Sequence, residues 1–94
     1  MSGKVHLDGY LEVPPDRLVA VTAALPDHIA LTRAEPGCLA FEVTSSPDYP
    51  DRFLVSEVFT NRAAFDAHQA RAKASAWAEV TAGLKRHYTI RVEP

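Results

Sequence analysis

Residues Val5 to Val13 alternate strictly. Val5, Leu7, Gly9, Leu11 and Val13 point one way and His6, Asp8, Tyr10 and Glu12 the other, which predicts a half-buried strand. Pro14-Pro15-Asp16 ends that strand and opens a helix, because a proline in the first turn gives up an N–H that has no intrahelical partner there. Leu18, Val21, Thr22, Leu25, Ile29 and Thr32 then recur at helical spacing as far as Arg33, making one face for a sheet. Pro26 lies inside this stretch and is expected to kink the helix or split it after Leu25.

Pro36-Gly37 stops the helix, and the pattern switches to a period of two. Leu39, Phe41 and Val43 alternate with Ala40, Glu42 and Thr44 in a second strand, which ends in the polar, proline-bearing stretch Ser45 to Asp51. A third strand, Arg52 to Phe59, sets Phe53, Val55, Glu57 and Phe59 against Leu54, Ser56 and Val58, and pairs with the second as a hairpin. Thr60 or Asn61 can cap the next helix, on which Ala64, Phe65, His68 and Ala72 share a face. A separate stripe follows in Trp77, Val80, Thr81 and Leu84. At about 100° per residue Trp77 would lie opposite His68 on a straight helix, so a break or bend near Arg71 to Ser75 is expected. Gly83 weakens the end of this helix, and Tyr88, Ile90 and Val92 alternate with His87, Thr89 and Arg91 in a last strand.

The order β-α-β-β-α-β defines an α+β class, ferredoxin-like domain over residues 1–94, with helices on one face of an antiparallel sheet. The third strand is apolar on both sides, so the far face of the sheet should meet another sheet, which we take to be that of a second copy. A chain of 94 residues with 47% hydrophobic content builds one domain and leaves much surface to cover, which also favours a homodimer.

Charge and motif content narrow the function by exclusion. The net charge is −2 and the basic residues are scattered, so no nucleic acid partner is expected. No run approaches the roughly 20 apolar residues of a membrane span, and Met1-Ser2-Gly3-Lys4 does not begin a secretory leader, so a soluble, cytoplasmic protein with no membrane partner is expected. Cys38 is the only cysteine and reads as a small apolar filler, while His6, His28, His68 and His87 are too dispersed to form a metal motif. No dinucleotide fingerprint, Walker loop or nucleophile elbow is present, so no cofactor and no metal are expected.

Two residues stand out as chemistry. His68 shares an inward helix face with Ala64 and Phe65, where an imidazole could act as a base near neutral pH or serve as a core or interface histidine with a hydrogen-bonded ring. Glu57 interrupts the apolar face Phe53, Val55, Phe59, where a carboxyl must be paired or protonated, as a structural ion pair or cap or as part of a site. Trp77 offers a flat wall for an aromatic ligand or a core anchor. Tyr10, His6, Tyr88 and His87 could bring phenol or imidazole groups to a cavity, or pack at the surface or an interface. Arg33 and Glu35 bracket the end of the first helix and read as structural corner residues.

Arg33-Ala34-Glu35-Pro36-Gly37-Cys38-Leu39, then Phe53 through Glu57, then Ala63-Ala64-Phe65-Asp66-Ala67-His68, resemble the antibiotic biosynthesis monooxygenase domain family and its quinol monooxygenase-like members. The resemblance spans nearly the whole chain. It implies a dimeric α+β barrel, two ferredoxin-like sheets packed together, with a ligand cavity between sheet and helices in each subunit. Relatives oxidise phenolic or quinol-type aromatics with molecular oxygen and without flavin, haem or metal; others degrade haem or isomerise a small signalling molecule. The chain departs from the haem-degrading pattern: it has His68 where that pattern has Trp, and lacks the Asn expected on the first strand. Phe59 stands where many relatives have Trp after the third-strand Glu.

On this resemblance and the placement of His68, the expected activity is cofactor-independent oxygenation of a small phenolic or quinol-type aromatic substrate, with O2 as co-substrate. His68 would be the catalytic base, Glu57 would orient it or share its proton, and Phe65, Trp77 and Tyr10 would hold the substrate ring. An isomerase or other proton-transfer enzyme could use the same pair, and a non-catalytic ligand-binding module could use the same fold.

Overall fold

The computed structural model describes residues 3–94. Its elements run β1 (Val5–Glu12), α1 (Pro15–Arg33), β2 (Cys38–Ser45), β3 (Arg52–Phe59), α2 (Arg62–Lys73), α3 (Ala76–Val80) and β4 (Arg86–Val92). The four strands form one antiparallel sheet in the order β2-β3-β1-β4, so the chain is an α+β ferredoxin-like fold. The two inner strands, β1 and β3, pair along their whole lengths, with Leu7 opposite Glu57 and Leu11 opposite Phe53.

The predicted alternation decides which face is inside. Val5, Leu7 and Leu11 of β1, Phe41 and Val43 of β2, and Phe53, Val55 and Phe59 of β3 are buried beneath the helices, together with Val13, Val21 and Phe65. Each large apolar side chain fully removed from water contributes about 1.5–3 kcal/mol before ordering costs, and this face is where the domain gains its stability. Glu57 is the one charged side chain buried among the strands of that face.

Three expectations change. α1 is not split at Pro26: it runs unbroken from Pro15 to Arg33. Pro26 is on the exposed side, and buried side chains on both flanks, Val21 before it and His28 and Thr32 after it, hold the two halves on the sheet. The inward stripe is therefore Val21, Leu25, His28, Ile29 and Thr32, with Leu18 and Thr22 turned to solvent. Leu39 does not join Phe41 and Val43 inside. A register shift between Cys38, opposite Phe59, and Ala40, opposite Val58, makes Leu39 the extra residue of a β-bulge and leaves it 53% exposed. Ile90 and Val92 on β4 remain half exposed, although they share a sheet face with Leu7 and Val5, because the helices do not extend over that edge strand.

The anticipated break in the second helical region falls at Ala74-Ser75. Ser75 supplies the reason: its hydroxyl donates to the Ala72 carbonyl at 2.6 Å and accepts from the Ala78 N–H, ending α2 and capping α3. Asn61 caps α2 through Ala64 N at 2.8 Å. The carbonyls at the end of α3 are met by Arg17 of α1, whose Nη2 donates to Val80 O at 2.6 Å and Ala82 O at 3.1 Å. No helix among the described residues is long and apolar enough to cross a membrane.

Candidate functional site

The corner after α1 positions the first functional group. Pro36 cannot continue the helix, and Gly37 turns the chain at φ +87°, where a side chain would be strained. A Cβ on Gly37 would also lie 2.7 Å from Ala64 Cβ. Glycine thus lets the start of α2 sit directly on the corner, a contact sealed by Thr60 N donating to Gly37 O at 2.8 Å. Glu35 consequently faces the inner side of α2. Its Oε1 accepts from His68 Nδ1 at 2.8 Å, and its Oε2 accepts from Arg71 Nε, while Arg71 Nη2 donates to Thr32 Oγ1 at 3.0 Å.

A carboxylate can only accept, so the proton of His68 is on Nδ1 and the lone pair is on Nε2. Burial lowers the pKa of His68, and the hydrogen bond and charge of Glu35 partly oppose that shift. The ring is therefore neutral at neutral pH. Nε2 is 3.8 Å from Glu57 Oε1, too far for a hydrogen bond, and that oxygen has no other partner among the described residues. Burial, then the charges of Glu35 and Asp8, push the Glu57 carboxyl up to about 7. At about 7 that carboxyl is only partly ionised near neutral pH, and at 3.8 Å the two groups make no direct hydrogen bond.

A cavity of about 310 Å³ opens beside them. It is lined by His68 and Glu57 with Trp77 of α3, His28 of α1, and Tyr88 and Arg86 at the β4 edge. The break at Ser75 is what brings His68 and Trp77 to one cavity. Trp77 lies flat on His28, with ring centres 4.7 Å apart and planes 6° from parallel, and Phe41 meets the His28 ring edge-on at 5.4 Å. Arg86 is held by Thr81, donating through Nη2 to Oγ1 at 2.7 Å, and burial pushes the Tyr88 phenol up to about 12.

The five residues singled out for a site are therefore distributed unevenly. His68, Glu57 and Trp77 converge. Phe65 lies in the core, edge-to-face with Phe59 at 5.8 Å, and does not line the cavity. Tyr10 is on the other face of the sheet, in register with Leu54 and His87, stacked on the His87 ring at 4.5 Å with the Arg52 guanidinium 4.3 Å from its own ring. It cannot hold a ring in this cavity of the same chain. His87 and His6 likewise bond Glu12 and Glu93, away from the site.

Glu35 was expected to be a corner brace and is instead the partner that orients His68. Arg33 does brace the corner, donating twice to Phe41 O. His28 is the residue the sequence concealed: its spacing from Val21, Leu25 and Thr32 on the α1 stripe was the available signal.

A four-stranded antiparallel sheet with helices packed on one face defines the class of the protein, an α+β ferredoxin-like domain. The antibiotic biosynthesis monooxygenase family model matches residues 5–80, and the chain belongs to that family. The uncharacterized protein sll1783 of Synechocystis sp. is 35% identical over 60 residues, covering 64% of this chain and 41% of that protein. The chain thus spans about two fifths of the length of this curated relative. Among solved structures, the protein SO0527 from Shewanella oneidensis superposes with a TM-score of 0.79 at 26% identity, covering 99% of this chain and 93% of that one. A structure named antibiotic biosynthesis monooxygenase superposes at 0.74 with 24% identity, covering 98% and 96%, which is a likeness of fold.

Proposed function

We propose that the protein is a cofactor-independent monooxygenase that oxidises a small phenolic or quinol-type aromatic compound with O2. The observation that supports this reading is the His68–Glu57 pair at the cavity wall with Glu35 behind it: a neutral imidazole with its proton fixed on Nδ1 and its free Nε2 beside an unpartnered carboxyl oxygen. Since 3.8 Å is less than two hydrogen bonds of about 2.8 Å laid end to end, one substrate hydroxyl can lie within reach of both Nε2 and Oε1.

In this mechanism Nε2 removes the hydroxyl proton, and Glu35 stabilises the imidazolium that forms. The resulting electron-rich ring carbon donates to O2, and a carbon hydroperoxide forms as the proton is returned. Loss of water then leaves one oxygen atom as a new carbonyl and releases the other as H2O, so a hydroquinone and O2 give a hydroxyquinone and water. All four electrons come from the substrate. Trp77 forms the flat wall for the ring.

The functional unit in this reading is a homodimer. The outer sheet face bears Leu54, 41% exposed, next to the Tyr10 ring and in line with Val58, a surface better suited to a second sheet than to water. Sedimentation of the purified chain tests this, and a monomer at micromolar concentration would remove it.

Oxygen uptake with a panel of hydroquinones and anthrone-like phenols in chelator-treated buffer tests the chemistry. Turnover should fall by about 10²–10⁴-fold in His68→Ala. A second reading, proton transfer without oxidation, is favoured by a Glu57 carboxyl raised to about 7 beside a neutral base. Conversion of a carbonyl substrate with no oxygen consumed would establish it in place of the first.

A further inference from the structure

Arg86 is a fixed cation at the cavity wall with no counter-ion. Its Nη1 and Nη2 reach Thr81 together, donating to the Thr81 carbonyl at 3.4 Å and to Oγ1 at 2.7 Å, and Nη1 also donates to Leu84 O at 3.2 Å. These bonds use the end of the guanidinium fork and leave its side edge, Nε–H with the second Nη2–H, without a partner among the described residues. That edge matches the two oxygens of a carboxylate. Arg33, Arg62 and Arg71 each pair with an acid of the chain, whereas neither Arg86 nor Lys73, the other cation lining the cavity, has such a pair among the described residues. Bracing Thr81 and Leu84 accounts for the occupied edge and asks for no charge.

The sheet register shows where the open edge lies. On the inner face Leu7 is opposite Glu57, Gly9 is opposite Val55 on one side and Tyr88 on the other, and Leu11 is opposite Arg86. Glu57 and Arg86 are therefore diagonal, four residues apart along β1 and two strands across, which is a Cα separation of about 16 Å at ordinary strand spacings. Gly9 between them bears no side chain, and the Tyr88 phenol feels the charges of both. With both side chains lining one cavity, the span between their heads suits an aromatic ligand with a polar group at each end.

We propose that Arg86 selects aromatic ligands that carry an acid group, a carboxylate seated on its open edge, at the end remote from the hydroxyl that meets His68 and Glu57. The proposal rests on the aromatic-ligand reading above and narrows it to acidic aromatics. A ligand lying along Trp77 then has its hydroxyl at the His68 end and its carboxylate at the β4 edge, and Lys73 adds positive charge to the same cavity. Tyr88, whose phenol keeps its proton up to about 12, brings no negative charge to that end.

Anaerobic titration calorimetry with a naphthol bearing a carboxylate at the far end of its second ring, and with the matching carboxamide, tests this without turnover. The wild-type chain should bind the carboxylate about 10-fold to 100-fold more tightly, the worth of a charge-assisted pair. Arg86→Gln should lose that preference and Arg86→Lys should keep part of it. The ratio is the readout, because any loosening of α3 in these variants weakens both probes alike. An equal ratio in wild type and Arg86→Gln, or a wild-type chain that binds the carboxylate no better than the amide, would overturn the proposal. Nitrogen NMR of the arginine side chains needs no variant: the carboxylate should move the Arg86 Nε–H signal further than the carboxamide does, and equal shifts would count against the assignment. Oxygen uptake with carboxylated and uncharged hydroquinones separates this from the reading it rests on. A binding preference with no uptake keeps the Arg86 role and removes the oxygenase chemistry, whereas uptake with no preference for the acid does the reverse.

Discussion

Glu35 and His68 are 33 positions apart in the chain and 2.8 Å apart in space, joined through an Oε1 to Nδ1 hydrogen bond beneath the corner that Pro36 and Gly37 make. The contact fixes the imidazole tautomer, and the Arg71 guanidinium fixes the carboxylate in turn. The residue that decides which nitrogen faces the cavity is therefore outside it.

Glu35→Gln keeps the shape of this link and removes its charge. Because Glu35 raises the His68 pKa, its loss should move the acid limb of the oxygen-uptake profile to lower pH, with turnover down by about tenfold. Arg71 also loses its ionic partner, which should cost about 1–3 kcal/mol in urea unfolding. An acid limb that stays in place would show that Glu35 is only a structural brace.

Glu57 and His28 impose opposite pH dependences on stability. The Glu57 carboxyl is at about 7 when folded and 4.5 when free, so between those values the folded chain holds a proton that the unfolded chain has released. Its contribution to stability falls as pH rises through that window. The His28 imidazole is at about 4 when folded and 6.5 when free, so stability is lost as pH falls from 6.5 towards 4. Glu57→Gln should raise the urea midpoint above about pH 7, by an upper bound of ~3 kcal/mol in stability, and change it little below about pH 4.5. Equal effects at both ends would mean that the carboxyl is not held neutral by its site.

Gly9 and Gly37 should not tolerate alanine. A Cβ on Gly9 would lie 1.9 Å from the His87 carbonyl oxygen, and Gly9→Ala should push β4, with Tyr88 and Arg86, away from β1. Each substitution should cost about 1–3 kcal/mol, with Gly37→Ala also separating Glu35 from His68. Thermal unfolding and ligand titration together check this; Gly37→Ala with wild-type affinity would contradict the role given to the corner.

Much of the fold was legible because periodicity depends on which face is buried. The alternation in β1 and β3 identified the inner face, and it already placed Tyr10 opposite Leu7 and Leu11; only the assignment of Tyr10 to a ligand disregarded that parity. The opposed phases of His68 and Trp77 required a break in the helix, although the agent was the Ser75 hydroxyl and not a glycine or proline. The Leu39 bulge was hidden, since an inserted residue in a strand leaves the hydrophobic sequence unchanged. Glu35 was hidden because its partner depends on how closely two helices approach, and no local pattern encodes that distance. His28 was hidden by its polarity within an apolar stripe.

Ser75→Ala should test the helix break directly. Losing the cap should cost about 1 kcal/mol and loosen α3, so affinity for aromatic ligands should fall while the far-ultraviolet spectrum stays close to wild type. Unchanged affinity would mean that Arg17 alone is enough to hold Trp77 in place.

The face-to-face pair of Trp77 and His28 also gives the protein a native optical reporter. With one indole in the chain, emission comes from a single environment and needs no deconvolution. Any event that protonates, displaces or slides past the neighbouring imidazole should change its brightness, so occupancy can be followed in crude mixtures and in real time without a label.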